Sequence, residues 1–403
     1  MKNRREGYKF NGKIKLKHIE IMSFFFALLS LLKCWMFARQ SGTELTKFIC
    51  EIIVNFSLVV SIAYIFAIYK IDLKKIRYAI FPMIYILVNI FYRYDGNANI
   101  SDSGITVVMI ATLYLLLPQQ CQINIYKIFK YILVVFSLLG IIFYVSYIFH
   151  LSIPFTIVPY YEKITQANAI YVNYFNIVLF VSPSGMVRLC GPFNEPGLMG
   201  TFLGLMLVAE DLNLKKKGNL ILLIAGILTY SMAFVITVII FCIYKYISDW
   251  KILLAIGIFT IVIVIIPYVE FQNKAFQNLI TRLFKMENNR TTKYFDLKFE
   301  NFVRSNRLWI GLGSDIQIAG VLSIKLFVMQ YGVVGVLFYV LYILDMGLSF
   351  AKKNSKGIVL LMLFLLNMYQ RPEVISPGYF IILVGGLQML NYKNSPFSEL
   401  RTR

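Results

Sequence analysis

Long apolar runs broken by short basic or polar stretches organise this chain from end to end. They lack period-two alternation and suit helices crossing a hydrocarbon core about 30 Å thick, so they predict membrane spans and not a barrel. The runs fall at 19–37, 48–69, 77–92, 104–118, 126–150, 196–212, 219–247, 251–268, 318–346, 357–370 and 375–391. Two long segments interrupt them, 151–194 and 269–317. In the first, QANAIYVNYFNIVLF and MVRLCGPF flank the turn SPSG at 182–185. Two β-prone runs around a Pro/Gly turn predict a hairpin lying against the membrane.

Charge placement sets the orientation. Lys2, Arg4, Arg5, Lys9, Lys13, Lys15 and Lys17 precede the first run, and further clusters stand at Lys70, Lys74, Lys75 and Arg77. Lys215, Lys216 and Lys217, then Lys352, Lys353 and Lys356, and the tail with Lys393, Arg401 and Arg403 complete the pattern. Cytoplasmic loops carry such an excess of Lys and Arg. If 219–247 crossed once, the Lys352 cluster and the tail would both fall outside. The charges therefore ask for two crossings, broken near Thr229–Ala233, through thin or tilted helices. The expected architecture is an all-α polytopic membrane protein with 11–12 spans, about twelve by this charge pattern. A single transmembrane domain covers 1–403, with both termini inside and both long segments facing outward.

Composition agrees. Of 403 residues 59% are hydrophobic and 15% charged, with mean hydropathy +0.70, which excludes a water-soluble domain. The net charge of +20 is accounted for largely by topology, so no nucleic-acid partner is expected. Five cysteines form no CxxC pair, and with two histidines there is no metal-ligand set, so no metal site is expected. The first run is too long, and lacks a small-residue cleavage signal, to be a removed signal peptide. No Gly-rich phosphate loop follows a strand, so nucleotide-driven transport is unsupported; no cofactor is expected.

Against this background RLCGPFNEPG, from Arg188 to Gly197, stands out as a cation, a carboxylate and a Gly/Pro turn at the start of a span. Pro196 suits a first helical turn, and Glu195 before it sits where a helix N-terminus stabilises negative charge. Gly197, Gly200 and Gly204 continue on one face and let a neighbouring helix approach. One reading is a capped, tightly packed helix start with an interfacial arginine; the other is an anion held by Arg188 while Glu195 accepts a proton. The second long segment carries Lys274, Arg282, Lys285, Arg290, Lys293, Lys298, Arg304 and Arg307 against fewer acids. Excess cations on the outward side point to an anionic ligand. Lys33 and Glu51 lie near span ends and snorkel. Lys325, about two turns into its predicted span, should face a polar cavity, where it either supports the anion or pairs with an acid. Gln370, Arg371 and Glu373 fall in a short outward hairpin and are candidates to line the same site.

RLCGPFNEPG with its small-residue helix resembles the R-x-x-G-x-F-x-E-P segment of O-antigen polymerases, the Wzy family, within a wider group that includes O-antigen ligases. Three further stretches agree in order: ILTYSMAFVI (227–236), NNRTTKYF with RLWIGLG (288–295 and 307–313), and SIKLFVMQYGVVG (323–335). The resemblance covers about residues 150–345. It implies a GT-C-like fold in a bacterial cytoplasmic (inner) membrane. The implied activity joins undecaprenyl-diphosphate-linked oligosaccharide repeats into O-antigen, capsule or another exopolysaccharide at the outer face, without metal or nucleotide. By resemblance Arg188 and Arg290 are the diphosphate ligands and Glu195 the base or sugar-positioning group. Asn194, Arg282, Lys293, Arg304, Arg307, Lys325 and Arg371 are substrate-binding candidates. Membrane lipid, a chain-length regulator and a flippase are the implied partners. Ligases of the group carry a histidine before the post-loop span, where this chain reads Val321–Leu322–Ser323, with no histidine after His150. That departure favours a polymerase over the alternatives, a ligase or a lipid-linked oligosaccharide flippase.

Overall fold

The computed structural model describes residues 18, 20–29, 45, 48–49, 52–53, 55–60, 62, 73–97, 104–159, 169–183, 185–247, 293–316, 324–352, 354–370 and 376–393. The predicted span at 251–268 and the candidates Arg282, Arg290 and Arg371 lie outside them, as does the side chain of Lys293. The described chain is mostly helical. In order come α1 (Glu20–Leu29), α2 (Leu73–Phe91), α3 (Ile105–Leu116) and α4 (Gln119–Ile148). Four strands follow, β1 (Thr156–Pro159), β2 (Ile170–Tyr174), β3 (Ile177–Val181) and β4 (Val187–Gly191). Then come α5 (Pro196–Ala209), α6 (Lys217–Leu228), α7 (Met232–Tyr246), α8 (Lys293–Val303), α9 (Ile324–Ala351) and α10 (Ser355–Gln370). A last helix, α11, runs from Pro377 to Lys393 through a π turn at Ile381–Gly385.

Among the described residues α4 and α9 are long and apolar enough to cross a membrane, and several shorter apolar helices accompany them. This is compatible with a membrane protein, though two such helices do not amount to twelve spans. The predicted segment 219–247 is two helices, interrupted at Thr229–Ser231. The loop 151–194 departs from an all-α fold: it holds an antiparallel meander in the order β1-β2-β3-β4. The expected β3–β4 pairing is present, with Val181 opposite Val187 around the 182–186 turn. QANAIYVNYFNIVLF, however, is not one run. It folds at Phe175–Asn176, both with positive φ (52° and 66°), into the β2–β3 hairpin. This is the handed two-residue turn that matches strand twist, and Asn suits it far better than Phe. The Asn176 N–H donates to Asn173 Oδ1 at 2.8 Å, holding the turn.

The core centres on α5, which is apolar all round and buried at every position except Gly197, as expected of a helix packed on all sides. α7 runs parallel to it. Gly200 lies against Ser231, Gly204 against Phe234 and Thr237, and Asp211, just past α5, against Lys245 near the end of α7. α6 therefore leaves the basic end of the bundle and α7 returns to it. Four cations converge there: Lys130 and Lys216 on Glu210 at 2.9 and 3.1 Å, Lys356 and Lys245 on Asp211 at 2.8 and 3.8 Å. A single traverse of 219–247 would carry Lys245 away from Asp211, so the contact is the physical counterpart of the charge argument for a break.

Candidate functional site

RLCGPFNEPG spans the end of β4, a tight turn and the start of α5. Glu195 is the N-cap residue: its carbonyl accepts from the N–H groups of Leu198 and Met199 at 3.1 and 3.3 Å, and Pro196 opens the helix. Its side chain is buried, 6% exposed, and does not cap the helix. Asn194 lies one residue outside the helix, where its carbonyl accepts a hydrogen bond from the Tyr171 hydroxyl.

Arg188 faces away from α4, on the sheet face shared by Tyr171 and Phe180, its cross-strand neighbour. Its Nε donates to the Thr229 carbonyl at 3.0 Å and its Nη2 to the Tyr230 carbonyl at 3.1 Å. These are carbonyls at the C-terminal end of α6, where a cation is favoured by both unsatisfied acceptors and the helix dipole. The α6–α7 turn is built tightly. Thr229 Oγ1 donates to the Gly226 carbonyl at 2.6 Å and accepts from the Ser231 N–H at 3.2 Å, while Tyr230 takes φ 48°. Ser231 Oγ then reaches the Gly197 carbonyl at 3.5 Å. The N-terminal ends of the parallel α5 and α7 thus meet beside Glu195. Glu195 lies buried at the N-terminal end of α5, where the start of α7 packs beside it, and a helix N-terminus favours negative charge.

Thr229, Tyr230 and Ser231 are the residues that the sequence reading left out of the site, although ILTYSMAFVI contains them. Their signal was the polar triplet inside an apolar run. The arginine's use of main-chain acceptors was not foreseeable, because a carbonyl has no residue signature.

The second group of candidates lies elsewhere in the fold. Lys293 begins α8, and Arg304 and Arg307 are exposed around the short 3-10 turn Asn306–Leu308. Lys325 is in the first turn of the described α9, the residues before it (317–323) lying outside the described ones, and pairs with Asp296 of α8 at 2.7 Å above the Phe299 ring. Of the two readings of Lys325, pairing with an acid is the one observed. α8, the 3-10 turn and the start of α9 share a small core of Phe295, Phe302 and Met329, separate from the main one. The described parts of this group pack on one another, whereas β4 packs on α4, α5 and α6.

WIGLG at 309–313 plugs a break in α9. Gly332 there has φ 69° and ψ 177°. The interruption exposes carbonyls at Met329 and Gln330, which accept from Leu312 and Gly313 N–H at 2.7 and 3.2 Å, and the Val334 N–H donates to Trp309 O at 3.1 Å. A Cβ on Gly332 would lie 2.2 Å from the Trp309 carbonyl oxygen, so no other residue fits. The Tyr92 hydroxyl donates to Gly311 O at 2.8 Å, and Asp315 accepts from the Tyr94 and Asp95 N–H groups. In the same turn, the Arg93 guanidinium and the Asn97 N–H hold the Asp95 carboxyl below the ordinary carboxylate range.

Among the described residues no group of three or more His, Cys, Asp or Glu is placed to hold a metal ion. No family model, curated protein or solved structure matches the chain.

Proposed function

We propose that the chain is a polysaccharide polymerase that joins undecaprenyl-diphosphate-linked oligosaccharide repeats at the outer face of a bacterial cytoplasmic membrane. Beyond the ordered motifs, one observation supports this reading: a buried carboxylate, Glu195, at the N-terminus of α5 where α7 also begins, on the same segment as Arg188, whose guanidinium clamps the α6–α7 turn. The leaving group is a lipid diphosphate, and its departure concentrates negative charge that cations and helix N-termini stabilise. In the proposed step, a hydroxyl at the non-reducing end of the incoming unit attacks the anomeric carbon of the growing chain. The bond from that carbon to the diphosphate oxygen breaks with inversion. The hydroxyl proton passes to Glu195, and the lengthened chain remains on the incoming lipid. Arg188 contributes in two ways, as charge next to the diphosphate and as the clamp on the Thr229–Tyr230 turn. Glu195 is the candidate base for the hydroxyl proton, or alternatively the group that accepts from and aims the sugar hydroxyl. Arg290 is the second diphosphate ligand by resemblance.

The test is the ladder of polymer lengths from cells carrying Arg188→Ala, Arg290→Ala or Glu195→Gln. Shortened or absent ladders at normal expression are expected; full ladders from all three overturn the assignment. Purified protein with lipid-linked repeats separates the classes. Polymer on the lipid supports the polymerase, transfer to another acceptor a ligase. A transporter, which yields no covalent product, is the second reading, because an interrupted helix such as α9 at Gly332 is also a transporter device.

A further inference from the structure

An apolar rim at the sheet end of α4 has no part in the site above. One face of α4 exposes Tyr131, Val135, Leu138, Ile142, Val145 and Phe149, at the three- and four-residue spacing of a single helical stripe. The stripe does not stop where the helix stops. Leu151, Phe155 and Ile157 continue it into β1, and Phe175, 74% exposed at the tip of the β2–β3 hairpin, extends it sideways. The pieces are joined by ring contacts: Tyr147 packs on Phe155 at 6.1 Å and Phe143 on Phe175 at 6.4 Å.

Charge sharpens the point. No described residue between Lys130 and Arg188 is Asp, Glu, Lys or Arg, so α4 above Lys130 and the first three strands are uncharged. A sheet standing in water places charges on its open face and edge strand, which otherwise invite pairing with other chains. This edge strand, β1, instead shows Ile157 at 59% exposure. Its height fits as well, since the sheet leans on α4 near Gly140, where a Cβ would meet Leu189, and near Phe143, stacked on Tyr174 at 4.8 Å.

We propose that Phe149, Leu151, Phe155, Ile157 and Phe175 form a lip inserted at the headgroup–acyl boundary of the lipid leaflet at the sheet end, seating the whole sheet in the interface. At that level the β1 edge finds water and headgroups for its main-chain groups, which deeper hydrocarbon would not supply. Because Arg188 is on the opposite face of the same sheet, the lip fixes the height of the site relative to lipid headgroups. The inference rests on the membrane reading of the chain and not on its being a polymerase.

The experiment uses full-length protein in lipid vesicles, with the five native cysteines replaced and bimane attached at Phe175→Cys or, separately, Ile157→Cys. Leu138→Cys on the α4 stripe and Tyr94→Cys in the 92–97 turn serve as references. Quenching by lipids with a nitroxide high on the acyl chain is expected to exceed quenching by aqueous iodide several-fold at both lip positions, with Leu138→Cys quenched by deeper nitroxides. Iodide quenching without lipid quenching would overturn the lip by placing it in water. Quenching by neither would overturn it by placing it under protein. Polymer formation is not read in this assay, so its outcome is independent of the proposed chemistry.

Discussion

Gly200 and Ser231 touch so closely that a methyl group on the glycine would lie 2.4 Å from the serine Cβ. The contact sets the separation of the parallel helices α5 and α7 at the level where the first turn of α5 meets the Thr229–Ser231 turn. Gly200→Ala gains about 1 kcal/mol of helix propensity but pushes α7 away, a net loss of roughly 1–2 kcal/mol. Gly204 has its nearest atoms, on Thr237, at 3.4 Å. Gly204→Ala should therefore be neutral or stabilising. Thermal unfolding in detergent compares the two, and equal midpoints would show that the helices are not held by this contact.

Arg188 is the second lever. Arg188→Ala removes both bonds to the α6 carbonyls, and Arg188→Lys keeps the charge without the fork that spans two acceptors. Each should lower stability by about 1–3 kcal/mol. If the guanidinium also neutralises the leaving group, polymer formation per folded molecule falls about a hundredfold or more in Arg188→Ala. A fall matching only the loss of folded protein would leave Arg188 as a structural clamp.

Much of this organisation could be read in advance, and the exceptions share a cause. The runs 77–92, 104–118 and 357–370 became Leu73–Phe91, Ile105–Leu116 and Ser355–Gln370, because polarity bounds a helix in an apolar setting. The break inside 219–247 followed from charge parity, and Glu195 at a helix start from Pro196. What stayed hidden depends on main-chain geometry. Phe175 at positive φ, the Gly332 break within an apolar run, and the Arg188 bonds to carbonyls more than forty residues away leave no pattern of side-chain types. The Lys325–Asp296 pair was one of two open readings until α8 and α9 were seen side by side.

At Gly332 the prediction is steep. Any Cβ meets the Trp309 carbonyl oxygen, and the positive φ adds about 1–3 kcal/mol of backbone strain for alanine. Gly332→Ala should expel 309–313 from α9 and open it to protease. Digestion of intact protein, mapped by mass spectrometry, should show new cuts within 304–316; an unchanged pattern with an unchanged unfolding midpoint would mean the plug is not needed.

At the basic end, Glu210→Ala strands Lys130, whose side chain is 17% exposed, and should cost about 3–5 kcal/mol. Asp211→Ala leaves better-solvated lysines behind and should cost roughly 1 kcal/mol or less. Denaturant midpoints in the same detergent rank the two. The reverse order would remove Glu210 as the central anion of this end.

The Asp95 carboxyl gives a pH dependence with a defined sign. Its affinity for protons is lowered by Arg93, so its support of the 92–97 turn is complete above its unfolded value near 3.8 and fades as the pH falls through the lower folded value. Hydrogen exchange at 92–97, corrected for intrinsic rate, should be unchanged from neutral pH to about pH 5 and should accelerate in stronger acid. In Asp95→Asn the acid phase should shrink. Acceleration beginning near neutrality would point to another group.

The sheet has an implication for the order of assembly. Every strand pairs with its neighbour in sequence, so the meander closes by short loops and can form as soon as 156–191 is clear of the ribosome and translocation machinery. The clasp of Arg188 on Thr229 and Tyr230 must wait for α5 and α6. The platform is therefore set before the helices that complete the site arrive, and a variant that slows the α6–α7 turn should accumulate with its sheet folded and its arginine undocked.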